Sequence, residues 1–253
     1  MIPRGADSNG QRHSAWQYYI ASSRYGDNLK GDTLSLCVRK PPKEYLEGKR
    51  KEDLTAKDIC SEFLCGVKPN DAIMVTGPVG SEMLLSEEDK STDYIFVASG
   101  AGIAPFRAFL RRLFAEHTRI SHAHRGTTLL FFGVPNKNFL LYESLFQSIK
   151  LNYRQRFDRV YAYLHGGMNK DGKKVFIHDI MREYADDIFL KLDRGAHIYF
   201  SGSVAMMDGI FTMFRDECES RGISYEDWIE DLKKNGQWHI QVSNICNFMM
   251  IQL

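Results

Sequence analysis

A strand followed at once by a glycine turn marks the first candidate site in this sequence. Residues 94–107 read YIFVASGAGIAPFR, an apolar run, a Gly100-Ala101-Gly102 turn and the start of a helix. The two glycines allow a tight turn and close approach of a ligand, and Pro105 fits a first helical turn. The free N–H groups and the positive helix end favour an anion such as a pyrophosphate. Because the third glycine of the dinucleotide fingerprint is missing, a plain strand-turn-helix packing unit is the alternative.

The spacing of the cysteines and histidines does not indicate a metal centre. The five cysteines and eight histidines include no CxxC and no HExxH pair. We therefore expect no structural zinc, and reduced thiols in a non-secretory compartment. His122 and His124 fall in a polar stretch, residues 116–126, which we interpret as a linking loop with surface histidines.

The elements that must hold these residues change character near residue 90. Before it, alternating residues 34–39 predict a strand, residues 58–64 a short helix and residues 71–76 a second strand. After it, strands and helices alternate, which predicts a parallel sheet covered by helices. The predicted strands are 94–99, 127–132, 159–164, 197–200 and 238–242, and the predicted helices start near 105 and cover 140–150, 177–184, 204–221 and 225–235.

Length and composition fit a two-domain enzyme. The 253 residues are 43% hydrophobic and 26% charged, which is enough for a substantial hydrophobic core and a well-solvated surface. A net charge of +1 argues against a general nucleic-acid binder. No stretch approaches the roughly 20 apolar residues that a transmembrane helix needs.

Seven phrases in a fixed order resemble plant-type ferredoxin-NADP reductase, a family of plastid flavoproteins. The resemblance covers about residues 16–243, and the ordered set is more specific than any one phrase. Besides the glycine turn, the phrases are 18–23 (YYIASS), 36–40 (LCVRK), 59–64 (ICSEFL), 77–83 (GPVGSEM), 132–135 (FGVP), 141–143 (LYE) and 237–242 (QWHIQV).

The resemblance implies an FAD-binding antiparallel barrel, residues 1–90, ahead of an α/β NADP-binding domain with a five-stranded parallel sheet, residues 91–253. Few residues precede Tyr18, so the barrel is expected to be partial. An open barrel leaves an unpaired edge, so we interpret the chain as a fragment or an incomplete gene product; the alternative is that a partner supplies the missing strands. Residues 1–15 contain no convincing targeting peptide.

Flavin contacts are implied at the phrases of the first half. Tyr18 matches the tyrosine that stacks on the flavin, and Ser61 matches the serine near its reactive nitrogen; ordinary strand packing and a helix cap are the respective alternatives. The family arginine that contacts the FAD pyrophosphate is replaced by Trp16, and a serine by Tyr19. The full set implied for FAD is Tyr18, Tyr19, Ser22, Cys37, Val38, Arg39, Ile59, Cys60 and Ser61.

Nucleotide contacts are implied in the second half. Val134 and Pro135 match a strand-end loop that contacts the pyridine nucleotide, and Phe176 stands for an adenine-facing tyrosine. His165 and Lys174 fall where the family grips the 2′-phosphate, although Lys174 can equally be a plain surface lysine. A lysine and a histidine bind a phosphate less tightly than the bidentate guanidinium of an arginine. We therefore expect NADPH to be preferred over NADH, but less strongly than in the family.

Two arginines and three residues near the ends of the last two predicted strands, Ser201, Gly202 and Gln241, are further candidates for the site. Arg39 and Arg107 can supply charge to phosphates. Ser201 and Gly202 stand where the family has a Cys-Gly pair, and Gln241 stands where it has a carboxylate. By position, the resemblance implies catalytic roles for Ser61, Ser201 and Gln241.

The family's terminal tyrosine aligns with Ser243, and the chain then continues as an extension from about residue 244. The Phe248 ring can take the place of the missing tyrosine ring, or the extension can obstruct the flavin. The alternative is that the end of the sequence is an artefact of the gene model.

The resemblance implies an FAD enzyme that moves electrons between NADPH and ferredoxin, an acidic iron-sulfur protein, in a chloroplast or apicoplast. Residues 39–57 carry seven basic and four acidic side chains, which is either a solvated loop or part of a docking face for such a partner. Two alternatives remain open: a truncated nucleotide-binding relative without usable FAD, and a reductase domain that feeds another acceptor.

Overall fold

A parallel sheet dominates the chain. The computed structural model describes residues 16–39, 56–164, 175–243 and 250–252. Five of its strands form one sheet, and two short strands pair apart from it. The strands are β1 (Cys37–Arg39), β2 (Tyr94–Ser99), β3 (Thr128–Val134), β4 (Phe157–Tyr163), β5 (His197–Ser203), β6 (Trp238–Ser243) and β7 (Met250–Gln252).

Helices connect the strands of the sheet and cover both of its faces. A π-helical turn, Arg111–Ala115, continues the second helix. No helix in the described ranges has the length and apolar character that a membrane crossing requires. The helices are α1 (Ala56–Gly66), α2 (Ile103–Leu110), α3 (Arg119–Ala123), α4 (Glu143–Asn152), α5 (Ile177–Glu183), α6 (Ala185–Asp193), α7 (Val204–Ser220) and α8 (Tyr225–Lys234).

The order of the sheet is β4-β3-β2-β5-β6, and every pair is parallel. This confirms the predicted five-stranded parallel sheet. The chain moves outward from β2 through β3 to β4 and then crosses to β5 on the other side of β2. Connections that leave neighbouring strands in opposite directions open a crevice at their carboxyl ends, which is where open α/β sheets bind ligands.

Burial on both faces explains the uninterrupted apolar strands. Ile95 and Val97 of β2 belong to a core shared with residues of α5, α6, α7 and α8. Tyr94 and Phe96 point the other way, into a core shared with α2 and α4. Because successive strand residues face opposite sides, β2 is fixed between two layers of helices.

The described residues of the first half, 16–39 and 56–90, show less regular structure than a barrel requires. Ile20 and Leu36 form an isolated antiparallel bridge, and β1 pairs antiparallel with β7. The strand expected at residues 71–76 is absent from the described structure, and Met74 and Val75 are exposed there. A strand needs a neighbour for its backbone hydrogen bonds, and no ladder forms on this segment within the described residues.

One local prediction was wrong, and one helix was not predicted. Residues 116–126 are not simply a linking loop, because α3 lies within them and His124 is buried against Tyr94 and Phe114. The helix predicted over residues 177–184 is followed directly by a second helix, α6, whose apolar face enters the core. Other element boundaries differ from the predicted ones by a few residues.

Candidate functional site

The glycine turn lies at the carboxyl end of β2. Gly100–Gly102 forms a single 3-10 turn, and α2 begins directly after it. Gly100 has a φ of +54°, and a Cβ atom there would meet nothing within 4 Å. A positive φ with open space is what a turn that presents its backbone to a ligand requires. The position and the start of α2 therefore match the predicted anion site.

Gly102 packs against the backbone of β5, a contact that the sequence did not predict. A Cβ atom on Gly102 would lie 2.2 Å from the carbonyl oxygen of Ser201. Gly202, with a φ of +142°, would bring its Cβ within 2.2 Å of the hydroxyl of Ser99. That hydroxyl accepts a hydrogen bond of 3.0 Å from the amide of Ser203. These glycines let the ends of β2 and β5 touch and so form the floor of the crevice.

Residues of the two halves meet at this floor. The Tyr19 hydroxyl donates a 2.9 Å hydrogen bond to the carbonyl oxygen of Gln241 in β6. Burial raises the pKa of Tyr19, while the hydroxyls of Ser201 and Ser243, which face it, lower that pKa. The structure thus brings Tyr19, Ser201 and Gln241 together, as the implied site requires. Ser201 is completely buried.

The residues implied for the flavin ring form a second group. The hydroxyls of Tyr18 and Ser61 are 3.0 Å apart. Ser61 lies inside α1 and not at its start, so the helix-cap alternative for Ser61 is wrong. Burial raises the pKa of Tyr18, and a hydrogen bond with Cys60 adds to the rise. Val38 and Cys60 are buried in the same small cluster, which Tyr18 also joins.

Arg107 contacts Asp27 and the backbone of Ala21. Its Nη1 donates to the carbonyl oxygen of Ala21 at 2.7 Å and to Asp27 at 2.9 Å, and its Nη2 donates to Asp27 at 3.0 Å. The guanidinium also lies over the ring of Tyr142, 5.0 Å from its centroid. These contacts take three of the five N–H groups of Arg107 and pair its charge with Asp27. A contact between Arg107 and a phosphate stays a prediction.

Asp27, the partner of Arg107, was not predicted from the sequence. Burial alone would raise its pKa, but hydrogen bonds from Arg107 and Ser35 outweigh burial and lower the pKa. The Ser35 amide in turn donates to the hydroxyl of Ser22 at 3.0 Å. Asp27 and Arg107 thereby tie the segment around Ala21, which follows Tyr18 and Tyr19, to α2. A lone acidic residue in a polar loop gave no signal of this role.

Several implied contacts lie nearby without a shown ligand role. Ser22 and Cys37 are buried; burial raises the pKa of Cys37 to about 11. Arg39 ends β1 and is half-buried, and Ile59 is half-buried in α1. Ala101 packs at the edge of the cluster formed by Ala21, Cys37 and Ala104.

Three residues implied for the nucleotide lie at the end of β3 and directly before α5. Val134 ends β3 and is buried, and Pro135 follows it half-buried. Phe176 is 44% exposed, and its ring stacks on His178 at a centroid distance of 5.5 Å and an angle of 6°. His165, Lys174 and Phe248 lie outside the described residues. No group of three or more metal-ligating side chains occurs within the ranges described.

Comparison with known proteins agrees with this geometry. The oxidoreductase NAD-binding domain matches residues 96–211. The solved ferredoxin-NADP+ reductase from Plasmodium falciparum superposes with a TM-score of 0.68 at 23% identity, over 96% of this chain and 80% of that one. At this identity the superposition shows a shared fold.

Sequence relatives show more. The chloroplastic ferredoxin–NADP reductase embryo isozyme of Oryza sativa subsp. japonica is 43% identical over 96% of this chain and 64% of its own length. The chloroplastic ferredoxin–NADP reductase of Chlamydomonas reinhardtii is 43% identical over 96% of this chain and 68% of its own length. The chain thus spans about two thirds of the length of these relatives. With that extent of similarity, and with the glycine turn, Tyr18, Ser61 and the parallel sheet in place, this chain belongs to the ferredoxin–NADP reductase family.

Proposed function

We propose that this protein is an FAD-dependent oxidoreductase that transfers electrons between NADPH and ferredoxin. The observation that carries the proposal is the contact between Tyr19 and Gln241 at the floor of the crevice. It brings the segment with the implied flavin contacts Tyr18 and Tyr19 against β6, at the carboxyl edge of the sheet where a dinucleotide would bind. An electron-transfer flavoprotein needs this juxtaposition of its two binding regions.

NADP fits the second region. The turn at Gly100 has a positive φ and open space around it, and the helical segment that begins there would direct the positive end of its dipole at a pyrophosphate. The exposed ring of Phe176 can stack on adenine, with His178 behind it. Val134 and Pro135 would contact the nucleotide from the end of β3. His165 and Lys174 would hold the 2′-phosphate, with NADPH preferred over NADH but less sharply than an arginine fork would allow.

FAD fits the first region, residues 1–90, as part of an antiparallel barrel. Tyr18 would lie against the flavin ring, and the Ser61 hydroxyl, which its bond to Tyr18 orients, would face the ring's reactive nitrogen. Ile59, Cys60, Val38, Cys37, Arg39 and Ser22 would line the same region. When bound, FAD supplies acceptance of a hydride and release of electrons one at a time.

Gln241, Ser201 and Gly202 lie between the two regions, and their side chains offer no acid or base for proton transfer. Gln241 can donate and accept hydrogen bonds but cannot exchange a proton. Ser201 is small, and Gly202 lets β5 end tightly against β2. Their role would be to orient a nicotinamide ring and to exclude water, with no proton transfer at either side chain.

Ferredoxin as the partner and a plastid-type location follow from the family. Rice, Arabidopsis and Chlamydomonas relatives are named chloroplastic ferredoxin–NADP reductases. We propose that the natural acceptor is an acidic iron-sulfur protein and that the basic residues 39–57 take part in docking it.

The proposal is tested by a coupled assay. The full chain, incubated with FAD, is mixed with NADPH and a plant-type ferredoxin, and reduced ferredoxin is detected through cytochrome c. Turnover that requires ferredoxin and is faster with NADPH than with NADH supports the proposal. NADPH oxidation that is independent of ferredoxin would indicate another acceptor. Nucleotide binding without flavin retention would support the alternative of a non-catalytic relative.

A further inference from the structure

β1 is buried on both of its faces, so a further strand can reach it only along its backbone edge. Cys37 packs in a cluster with Ala104, at the start of α2. Val38, the next residue, packs in a different cluster with Cys60 of α1. Both residues of β1 are buried as a whole, backbone included. Buried backbone N–H and C=O groups need hydrogen-bonding partners, so the edge of β1 has to be covered.

β7 covers this edge. It pairs antiparallel with β1, although β1 is the first strand of the described chain and β7 is the last. The opposed residues are Cys37 and Gln252, Val38 and Ile251, and Arg39 and Met250. A segment that follows the parallel sheet thus joins the region to which the proposed function assigns FAD.

The end of β6 lies near β1, which allows this pairing within one chain. The Tyr19 hydroxyl donates to the carbonyl oxygen of Gln241 in β6. The next residue, Ile20, forms an antiparallel bridge with Leu36, which directly precedes β1. Six residues separate β6 from β7, and a connection of that length spans at most about 25 Å. The contacts therefore form a closed circuit from β6 through Tyr19 and β1 to β7.

We propose that β7 is a strap that holds β1 in the position that FAD binding requires. This inference rests on the proposed function, which places FAD against Cys37, Val38 and Arg39 of β1. The partner of the β1 edge is residues 250–252 of the same chain, and the main-chain hydrogen bonds of strand addition supply the binding. When the pairing is lost, the apparent affinity for FAD falls with the fraction of molecules that keep β1 in place. A ligand that binds only to the parallel sheet is unaffected.

Disulfide formation tests the pairing itself. Opposed residues of an antiparallel pair have Cα atoms about 4.5–5.5 Å apart, within the range of about 4.4–6.8 Å that a disulfide spans. For Gln252→Cys, we expect mild oxidation of the dilute full chain to link the new thiol to Cys37 of the same molecule, as shown by mass spectrometry of unreduced peptides. Met250→Cys is the matched control, because its thiol lies opposite Arg39 and should form much less of this link. Equal linking by both variants, or a link between two molecules, would overturn the pairing within one chain.

Two proline substitutions test the effect on FAD. Successive N–H groups of a strand point to opposite edges, so one of the two that Ile251→Pro/Gln252→Pro removes faces β1. Loss of one backbone hydrogen bond changes an equilibrium constant by about fivefold, so we expect FAD to bind about fivefold more weakly, as measured by quenching of flavin fluorescence. Calorimetric titration with 2′-phospho-AMP should give an affinity unchanged within about twofold, because the sheet is intact. Ile251→Ala/Gln252→Ala keeps both N–H groups and should bind both ligands as wild type does.

The outcomes separate the strap from the proposed function. Wild-type affinity for FAD in the proline variant would overturn the strap and leave the proposed function standing. Equal weakening of FAD and 2′-phospho-AMP would mean that the whole chain is loosened, which would also overturn the strap. If no form of the chain bound FAD, the proposed function and the flavin role of the strap would both be wrong. The disulfide, which needs no flavin, would still show whether β7 pairs with β1.

Discussion

A Cβ atom on Gly102 would lie 2.2 Å from the carbonyl oxygen of Ser201, closer than any such pair of atoms can approach. The end of β5 therefore packs directly on the turn that follows β2. The consequence is that the shape of the proposed pyrophosphate turn depends on a neighbour that is distant in sequence.

Gly102→Ala tests this dependence. We expect a loss of about 1–3 kcal/mol in the free energy of unfolding, because the clash is with backbone and cannot be relieved by a rotamer change. We also expect NADP+ to bind at least about tenfold more weakly, since about 1.4 kcal/mol corresponds to a tenfold change in affinity. Urea unfolding and calorimetric titration measure the two effects. Gly66→Ala is the matched control, because a Cβ there meets nothing within 4 Å; equal effects at both glycines would contradict the account.

Arg107→Met tests the tie between the two halves. Arg107 is 7% exposed and makes three hydrogen bonds to Ala21 and Asp27. Its loss removes the donor to the Ala21 carbonyl and leaves the Asp27 carboxylate with Ser35 and the more distant Arg111. We expect a loss of about 2–3 kcal/mol in the free energy of unfolding, limited by the partial exposure of Asp27.

The control for that variant is Arg24→Met. Arg24 contacts Glu87 at 3.5 Å on the surface, and its side chain is 67% exposed. An exposed pair of this kind contributes at most about 1 kcal/mol. Urea unfolding of both variants decides the matter, and an Arg107 variant no less stable than the Arg24 variant would refute the tie.

His124 predicts a specific dependence of stability on pH. Burial lowers the pKa of His124 to about 4, and the nearby charge of Arg156 acts in the same direction. In the unfolded chain the histidine takes up a proton near pH 6.5, while the folded form stays neutral down to the lower pKa. Stability is therefore full above pH 6.5 and falls as the pH is lowered from 6.5 towards 4.

His124→Phe should remove this part of the pH dependence. The apolar ring can keep the contacts with Phe114 and Tyr94 but cannot be protonated. Between pH 6.5 and 4 we expect the variant to lose about 2–3 kcal/mol less stability than wild type. Urea unfolding at several pH values measures the two slopes. His197 and His239, whose pKa values burial also lowers, contribute to both proteins alike, so identical slopes would show that His124 is not held neutral.

Tyr18 and Ser61 should be energetically coupled. Their hydroxyls are 3.0 Å apart in a partly buried setting. In a double-mutant cycle of Tyr18→Phe and Ser61→Ala, we expect a coupling of about 1 kcal/mol in the free energy of unfolding. Strict additivity of the two substitutions would mean that the hydroxyls do not form a hydrogen bond in solution.

The sheet could be predicted because its signals are local. The run from Tyr94 to Ser99 is apolar throughout and ends in glycines, and the structure places β2 over the same residues. Such a run is typical of a strand that is buried on both faces. The first half lacked an equally clear pattern, and the strand expected at residues 71–76 did not form.

The contacts that assemble the site could not be predicted in the same way. Tyr19 and Gln241 are 222 positions apart, and Asp27 and Arg107 are 80 apart. A single sequence carries no local periodicity that pairs such residues. For this reason the contact between Arg107 and Asp27 was not predicted, although the family and the glycine turn were recognised correctly.

The visible absorption spectrum of the full chain shows whether the chain holds FAD and whether NADPH reduces it. The chain is incubated with FAD, desalted and titrated anaerobically with NADPH. The account predicts retained flavin absorption that bleaches when NADPH is added, because the two binding regions meet at Tyr19 and Gln241. A colourless protein after desalting, or bound flavin that NADPH leaves unchanged, would contradict it.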